Sequence, residues 1–408
     1  MGISKQIEVN FSYLIYIFKR FCVNFGLCIF DFLLHCTVKN KNPKVETGKK
    51  NILIIRPDAI GDYIVWSDSA KAYKQIFPTE KYTITFLGNP ACIDLAKASG
   101  YFDECTAFDR KKFIFNIKYR VSIWKKLNNI VFDTIVYPAY SQEFCSGASL
   151  IIHLKAKNKI GIASDTAIDT AFWHKISAKY FTTLHKIDTK SQHELLKNAQ
   201  FIQQFGLKDF KAGLPLLVSE ESSIEIKKPY FVVFPGARIG LRQWPKEKFI
   251  ELINIIKKQK SEFTCVVVGS NDEFEICEQI SLATQSQNLA GKTNIAQLVS
   301  VISNADFFIG NETAGIHIAI ATRTPSVCIV GGGHFGRFVP YPTDILEKEN
   351  TISLIAYYSM PCFHCDWNCK YQTNRNQTVP CISQVEVSTV VGLTNEILAK
   401  KIEHHIIS

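Results

Sequence analysis

The sequence predicts an α/β protein made of two doubly wound, Rossmann-like domains. Its 408 residues exceed what one ordinary hydrophobic core accommodates. From Asn51 onward, short apolar runs alternate with helix-like segments, the pattern of parallel sheets covered by helices. The alternation restarts at Tyr230, after the connector Gly213–Ser223. The predicted organisation is an extension over 1–50, a first domain over 51–222 and a second over 223–408. Two doubly wound domains facing each other would place a ligand crevice at the carboxyl ends of both sheets.

The extension opens with a helix over Phe11–Cys36. Phe11, Leu14, Ile15, Phe18, Phe21, Cys22 and Phe25 recur at three- and four-residue spacing, one apolar helical face. Lys39, Lys41, Lys44, Lys49 and Lys50 follow directly. An apolar helix beside a lysine cluster suits an anionic membrane surface, where each lysine contributes about 1 kcal/mol. The alternative is a helix packed on the folded body with a solvated linker after it. No small-residue cleavage site follows the apolar stretch, so a cleaved signal peptide fits poorly.

The first domain then reads as strand Asn51–Arg56, helix Tyr63–Ile76 stopped by Pro78, strand Tyr82–Leu87 and helix Ala91–Lys97. Strand Phe132–Tyr137, helix Gln142–His153 and helix His193–Phe205 continue it. In the second domain, strands Tyr230–Phe234, Thr264–Val268, Asp306–Ile309 and Ser326–Val330 alternate with helices Lys246–Lys258, Asp272–Leu282, Ile295–Ser303 and Ala314–Ala321.

Composition narrows the function classes. Hydrophobic residues at 47% and charged residues at 21% exclude a disordered or collagen-like chain. No uncharged apolar run approaches the roughly 20 residues of a transmembrane helix. Of the net charge of +10, residues 1–50 carry +5 (eight Lys/Arg less three Asp/Glu). The remaining body is only mildly basic, which argues against a nucleic-acid partner. Nine of the 13 cysteines are scattered through apolar stretches, as in a reducing compartment, so the cytoplasm is the expected location.

Three polar clusters stand at predicted strand ends. The first is Arg56 followed by Pro57, Asp58, Ala59, Ile60, Gly61 and Asp62. Gly61 lets another group approach the turn closely. Asp62 at the next helix start is either an N-cap or a carboxylate able to accept a proton from a substrate hydroxyl. The second cluster runs from Pro235–Gly236–Ala237–Arg238 to Arg242, Trp244 and Pro245. A glycine-containing loop with two arginines before a helix resembles an anion cradle. The third is Asn311–Glu312–Thr313–Ala314–Gly315–Ile316–His317, again after a strand and at a helix start. Glu273, after another strand, is placed to hold ribose hydroxyls.

Together these segments resemble the heptosyltransferase family of glycosyltransferases, family 9, which builds the lipopolysaccharide inner core. Arg56 with Gly61–Asp62 resembles the family's first-strand turn. Pro235–Gly236–Ala237 with Arg242, Trp244–Pro245 and Phe249 resembles its "PGA … K/R-x-W-P … F" segment. Leu289–Ala290–Gly291–Lys292–Thr293, Asn311 to His317 and Thr324–Pro325 resemble "LAG-x-T … N-D-S-G-x-x-H … TP". The resemblance implies a two-domain GT-B fold and inverting sugar transfer, most simply from ADP-heptose to a lipid-linked glycan acceptor. It implies Asp62 as catalytic base. It also implies a donor site of Gly236, Ala237, Arg238, Arg242, Glu273, Glu312, Thr313, Ala314, Gly315 and His317. The sequence has no Asp-x-Asp triplet, consistent with transfer that needs no metal. Glu312 stands where the family has aspartate, and Ala314 where it has glycine. These departures keep open another nucleotide sugar, or a non-catalytic nucleotide-sugar-binding relative. An oxidoreductase fits less well, because the first turn lacks G-x-G-x-x-G.

Two further features complete the expectations. Lys111, Lys112, Lys118 and Arg120, interleaved with Phe113, Phe115 and Tyr119, form a basic stretch that with Arg56 is expected to receive the acceptor, or is a solvated amphipathic helix. Cys362, Cys365, Cys369 and Cys381 make C-x2-C-x3-C-x11-C, a spacing able to close a structural zinc site or to form an ordinary thiol-rich loop.

Overall fold

A computed structural model describes residues 18–34, 48–163, 165, 168–188, 193–219, 224–371 and 377–407. Phe11, Leu14, Ile15, Lys39, Lys41 and Lys44 lie outside the described residues.

Two six-stranded sheets form, and every strand pair in them is parallel. The first contains β1 (Lys50–Arg56), β2 (Tyr82–Gly88), β3 (Glu104–Ala107), β4 (Phe132–Tyr137), β5 (Ala156–Ile162) and β6 (Thr183–His185), in spatial order β3-β2-β1-β4-β5-β6. The second contains β7 (Tyr230–Phe234), β8 (Thr264–Val267), β9 (Gln287–Asn288), β10 (Phe307–Asn311), β11 (Ser326–Ile329) and β12 (Ser353–Ala356), in order β12-β11-β10-β7-β8-β9. Counted from its own first strand, the second sheet repeats the order of the first. This is the doubly wound order, in which the strand sequence reverses direction between the first and fourth strands. Both sheets are therefore Rossmann-like, the pair of units of which a GT-B fold is made.

Burial explains the central strands. In β7 all five residues are buried, and so are all five in β10, so both read as continuous apolar runs rather than alternating ones, broken in β10 only at its end by the polar Asn311. Phe231 stacks on Phe307 across the pair, with ring centroids 4.9 Å apart. Trp244 and Phe249 close the same core from the following segment.

The chain divides into two compact units. One holds the segments up to Asp58, Lys74–Ile93 and Phe102–Ile187; the other holds Ala59–Tyr73, Asp94–Tyr101 and everything from Asp188. Helix Ile60–Ala70 thus follows β1 in sequence but packs within the second unit. It also starts earlier than the predicted Tyr63, and the segment to Ile76 is completed by a separate turn of helix, Tyr73–Ile76. The predicted helix Gln142–His153 is a π-helical turn, Phe144–Ala148, followed by a short α-helix, Ser149–His153.

Within the first unit, residues 18–34 form a helix whose polar side chains point inward. Asn24 and Asp31 are its only buried residues among those described. Arg20 pairs with Glu143 at 2.9 Å and with Asp169 at 2.8 Å, and Asn24 donates to Asp169 at 3.0 Å. Asp31 receives Arg120 through both carboxylate oxygens, one of these bonds being Nε to Oδ1 at 2.6 Å. Arg120 also donates to the Phe113 and Cys145 carbonyls at 2.9 and 3.0 Å. This corrects the expectation that Arg120 receives an acceptor: it is fully buried, with its donors consumed inside the unit. The opposite side of the helix exposes Phe18, Phe21, Val23, Phe25, Ile29, Phe32 and Leu33.

Candidate functional site

The second unit's site grows from the switch point between β7 and β10, which pair directly. At the end of β7 the chain turns through Pro235, Gly236 and Ala237; at the end of β10 it passes Asn311 and Glu312 to Thr313, the N-cap of helix Ala314–Ala321. Asn311 is fully buried and ties these loops together. Its amide donates to the Pro235 carbonyl at 2.6 Å, and its Oδ1 accepts from the Trp244 backbone N–H at 3.1 Å. One side chain therefore fixes the spacing of both motif loops. Sequence reading placed Asn311 in a motif without giving it a role.

The glycines here are close-approach positions. A Cβ on Gly315 would lie 2.6 Å from the Phe234 ring, and one on Gly310 would lie 2.9 Å from the Phe234 carbonyl oxygen. Only a residue without a side chain lets the helix start sit this near the strand. Gly236 is kept bare by Glu273, whose carboxyl carbon would be 2.3 Å from an added Cβ. Glu273 Oε2 accepts from the Ser270 backbone N–H at 2.7 Å and from its hydroxyl at 2.8 Å. One oxygen of the expected ribose ligand is thus committed to holding its own turn.

Of the thirteen buried side-chain polar atoms that lack a hydrogen-bond partner among the described residues, four gather in this region: Arg242 Nε, Glu312 Oε2, Thr313 Oγ1 and Trp367 Nε1. Buried polar groups are ordinarily paired, so such a concentration marks a place built to be completed by a ligand. Arg242 lies within electrostatic reach of Glu312, Asp62 and Arg238; burial lowers its proton affinity, and the two carboxyl groups oppose that. Burial pushes the Glu312 carboxyl up to about 8, with Arg242 opposing the shift. Thr313 makes no capping bond with its side chain, which leaves its hydroxyl at the helix start. Arg238 is exposed and Ala237 is buried. A guanidinium, a hydroxyl and helix N–H groups converge here, a set that binds phosphate oxygens.

Asp62 and Gly61 sit in the first turn of Ile60–Ala70. A Cβ on Gly61 would meet the His317 ring at 2.9 Å, so the Gly-Asp turn and the histidine of the third cluster are packing partners. His317 is buried, pushed down to about 3 first by burial and then by His193, and its Nδ1 lies 3.0 Å from the Tyr341 hydroxyl. The imidazole is therefore neutral and supplies no positive charge to a phosphate. It seats the turn that carries Asp62.

The remaining expected residues fall elsewhere. Arg56, in the first unit, is buried, pairs with Asp58 at 2.8 Å and donates to the Pro138 carbonyl at 2.7 Å, so it presents no free surface to an acceptor. Lys111, Lys112 and Lys118 are exposed, together with Phe115 and Ile117. Cys362, Cys365, Cys369 and Cys381 lie within electrostatic reach of one another. Among the described residues no three His, Cys, Asp or Glu side chains are arranged to hold a metal ion, these cysteines included. Nor is any described helix long and apolar enough to cross a membrane.

Comparison with known proteins adds a family to this geometry. A model of glycosyltransferase family 9 (heptosyltransferase) matches residues 120–371. Lipopolysaccharide heptosyltransferase 3 of Escherichia coli K12 is 26% identical over 240 residues, covering 55% of this chain and 64% of that relative, so the match spans about two thirds of its length. Lipopolysaccharide core heptosyltransferase OpsX of Haemophilus influenzae is 21% identical over 373 residues, covering 86% of this chain and 97% of that relative. The solved structure of the E. coli ADP-heptose LPS heptosyltransferase II superposes with a TM-score of 0.63 at 16% identity, over 86% of this chain and 99% of that one.

Proposed function

The chain belongs to glycosyltransferase family 9, and we propose that it moves heptose from ADP-heptose to a lipopolysaccharide-core acceptor with inversion at the anomeric carbon. The observation that carries this reading is the group of unpartnered buried atoms around Arg242 and the helix start at Thr313. In this scheme the acceptor hydroxyl gives its proton to the Asp62 carboxylate. Its oxygen bonds to the anomeric carbon, and the bond from that carbon to the donor's phosphate oxygen breaks. Negative charge then grows on the departing diphosphate, where Arg242, Thr313 and the helix N–H groups stabilise it. Glu312, neutral at pH 7 by its raised pKa, donates a hydrogen bond to an oxygen instead of repelling it. No step requires a metal.

The acceptor side of the reading assigns the lipid-linked glycan to the first unit, whose exposed Lys111, Lys112 and Lys118 suit its phosphates or acidic sugars. It also places the enzyme in the cytoplasm, peripheral on the anionic inner face of the cytoplasmic membrane. The exposed Phe18, Val23, Phe25, Ile29, Phe32 and Leu33 of helix 18–34 support this, because ion pairs and the packing of Phe21 on Trp173 anchor the helix to the body and leave these apolar residues uncovered. A structural zinc on Cys362, Cys365, Cys369 and Cys381 rests on their C-x2-C-x3-C-x11-C spacing, and its binding would have to draw together thiols that are not gathered as a metal cluster among the described residues. Elemental analysis should find about one zinc per chain, and none overturns it.

The test of the transfer reading combines binding with turnover. Asp62→Asn should lower transfer by roughly 10²- to 10⁴-fold while ADP binding is retained. Retained transfer would remove Asp62 as the base. Preference for UDP or GDP over ADP would keep the chemistry and discard ADP-heptose, in line with the unusual Glu312 and Ala314. No binding of any of the three would overturn the donor site.

A further inference from the structure

Arg242 is held from a direction that none of the motif segments supplies. Its guanidinium carbon lies 4.1 Å from the centroid of the Trp367 indole, in the middle of the cysteine-rich loop. The segment around that loop also grips the backbone on either side of Arg242. The Val379 N–H donates to the Leu241 carbonyl at 3.1 Å, and the Thr378 hydroxyl donates to the Gln243 carbonyl at 2.7 Å.

The loop itself is seated with little freedom. It lies on the three glycines that follow β11 and Val330. A Cβ on Gly331 or Gly333 would come within 2.7 or 2.3 Å of the Trp367 ring, and one on Gly332 within 2.3 Å of Phe363. Three bare backbone positions are what let two aromatic rings lie flat there. The His364 and Asp366 N–H groups donate to the Gly332 and Gly333 carbonyls at 2.7 and 3.1 Å. His364, Asp366 and Trp367 all have left-handed backbone conformations, with φ of 67°, 48° and 62°. Such conformations are unfavourable for residues with side chains and persist where surrounding contacts over-determine them, often at ligand-binding segments. Here the strained loop delivers one indole onto one guanidinium.

We propose that Trp367 is a positioning residue for Arg242: the indole covers one face of the guanidinium and fixes its plane, so that its edge N–H donors meet the donor diphosphate. A guanidinium is weakly hydrated on its faces and donates only in its plane, so stacking leaves every donor available while removing rotational freedom. The Arg242 Nε and Trp367 Nε1 atoms, both buried and unpartnered, belong to this stacked pair. The proposal rests on Arg242 being the cation that receives the diphosphate.

The experiment is a double-mutant cycle read by calorimetry. ADP, UDP and GDP are titrated into the full-length protein, and whichever binds is used for Arg242→Ala, Trp367→Ala, Trp367→Phe and the double alanine variant. Trp367→Ala should weaken binding roughly tenfold, the scale of a desolvated cation–π contact, and Trp367→Phe should restore it to within about threefold. In the Arg242→Ala background, Trp367→Ala should change affinity less than about twofold, because the group it positions is gone. An effect of Trp367→Ala that is undiminished in that background overturns the proposal. So does a phenylalanine variant as weak as alanine with an unchanged melting temperature. If Arg242→Ala itself leaves binding intact, or no nucleotide binds, the diphosphate reading falls and this proposal falls with it. A proposal wrong on its own shows instead as a sensitive Arg242 with an indifferent or additive Trp367.

Discussion

The two sheets share one strand order, yet their switch points treat a buried arginine in opposite ways. At the switch point of the first sheet, Arg56 is occupied by Asp58 and the Pro138 carbonyl. Deeper in that unit, Arg120 is enclosed by Asp31, Ser149 and two carbonyls. At the switch point of the second sheet, Arg242, Glu312 and Thr313 each keep a buried atom without a partner. Topology offers a crevice at both places. The side chains decide which of them is finished and which is left for an anion to complete. The first unit goes further in the same direction: it turns the polar side of helix 18–34 inward and leaves the apolar side out.

The largest effect that would break this contrast is expected at Asp31. Asp31→Ala leaves the Arg120 guanidinium buried without its carboxylate, which costs about 3–5 kcal/mol. Urea unfolding should show this loss, whatever happens to nucleotide binding. A loss below about 1 kcal/mol would mean that Arg120 reaches water once Asp31 is gone, and that the first unit's polar network is not the closed one described.

That pair also shows where sequence reading stops. The strands at the centre of the second sheet were legible because full burial makes them unbroken apolar runs: Tyr230–Phe234 has the predicted bounds, and Phe307–Asn311 lies close to the predicted Asp306–Ile309. The motif loops were legible because glycine and proline punctuate strand ends. β5, read as Ala-Lys-Asn-Lys-Ile-Gly-Ile, and the two-residue β9 carry too little apolar pattern to announce themselves. Arg120 sits among lysines and looked like surface, because its partner lies 89 residues away in sequence. The spacing of Phe18, Phe21 and Phe25 revealed a helix, but periodicity cannot say whether the apolar side faces protein or lipid. Trp367 had no local signal at all. Its meaning lies in the glycines and the arginine it touches.

The outward side of helix 18–34 gives the second way to sharpen the contrast. Replacing Phe25 and Phe32 by serine removes exposed apolar surface and touches none of the ion pairs formed by Arg20 and Asp31. Folding stability should change by no more than about 0.5 kcal/mol, as for other surface substitutions. Partition onto vesicles containing anionic phospholipid should fall by roughly tenfold or more, since a fully buried phenylalanine is worth about 1.5–3 kcal/mol. Unchanged vesicle binding would leave the exposed face without the membrane role proposed for it.

The smallest effect is at Glu312, and its sign can be worked out. The folded carboxyl titrates near 8 instead of the ordinary 4.5, because burial penalises its charged form. Between those values the folded chain keeps a proton that the unfolded chain has released. Its contribution to stability is therefore complete below about 4.5, declines as pH rises toward 8 and is lost above. A diphosphate bound beside it prefers the neutral form. Affinity should hold level below pH 8 and then fall, by at most about tenfold per pH unit. ADP itself titrates at lower pH, so the informative quantity is the ratio of wild type to Glu312→Gln, a variant that stays neutral throughout. That ratio should be constant from pH 7 to 8 and drop by pH 9. A flat ratio would mean that Glu312 does not share its proton with the ligand, and that the second unit's unfinished site is completed by Arg242 and the helix start without it.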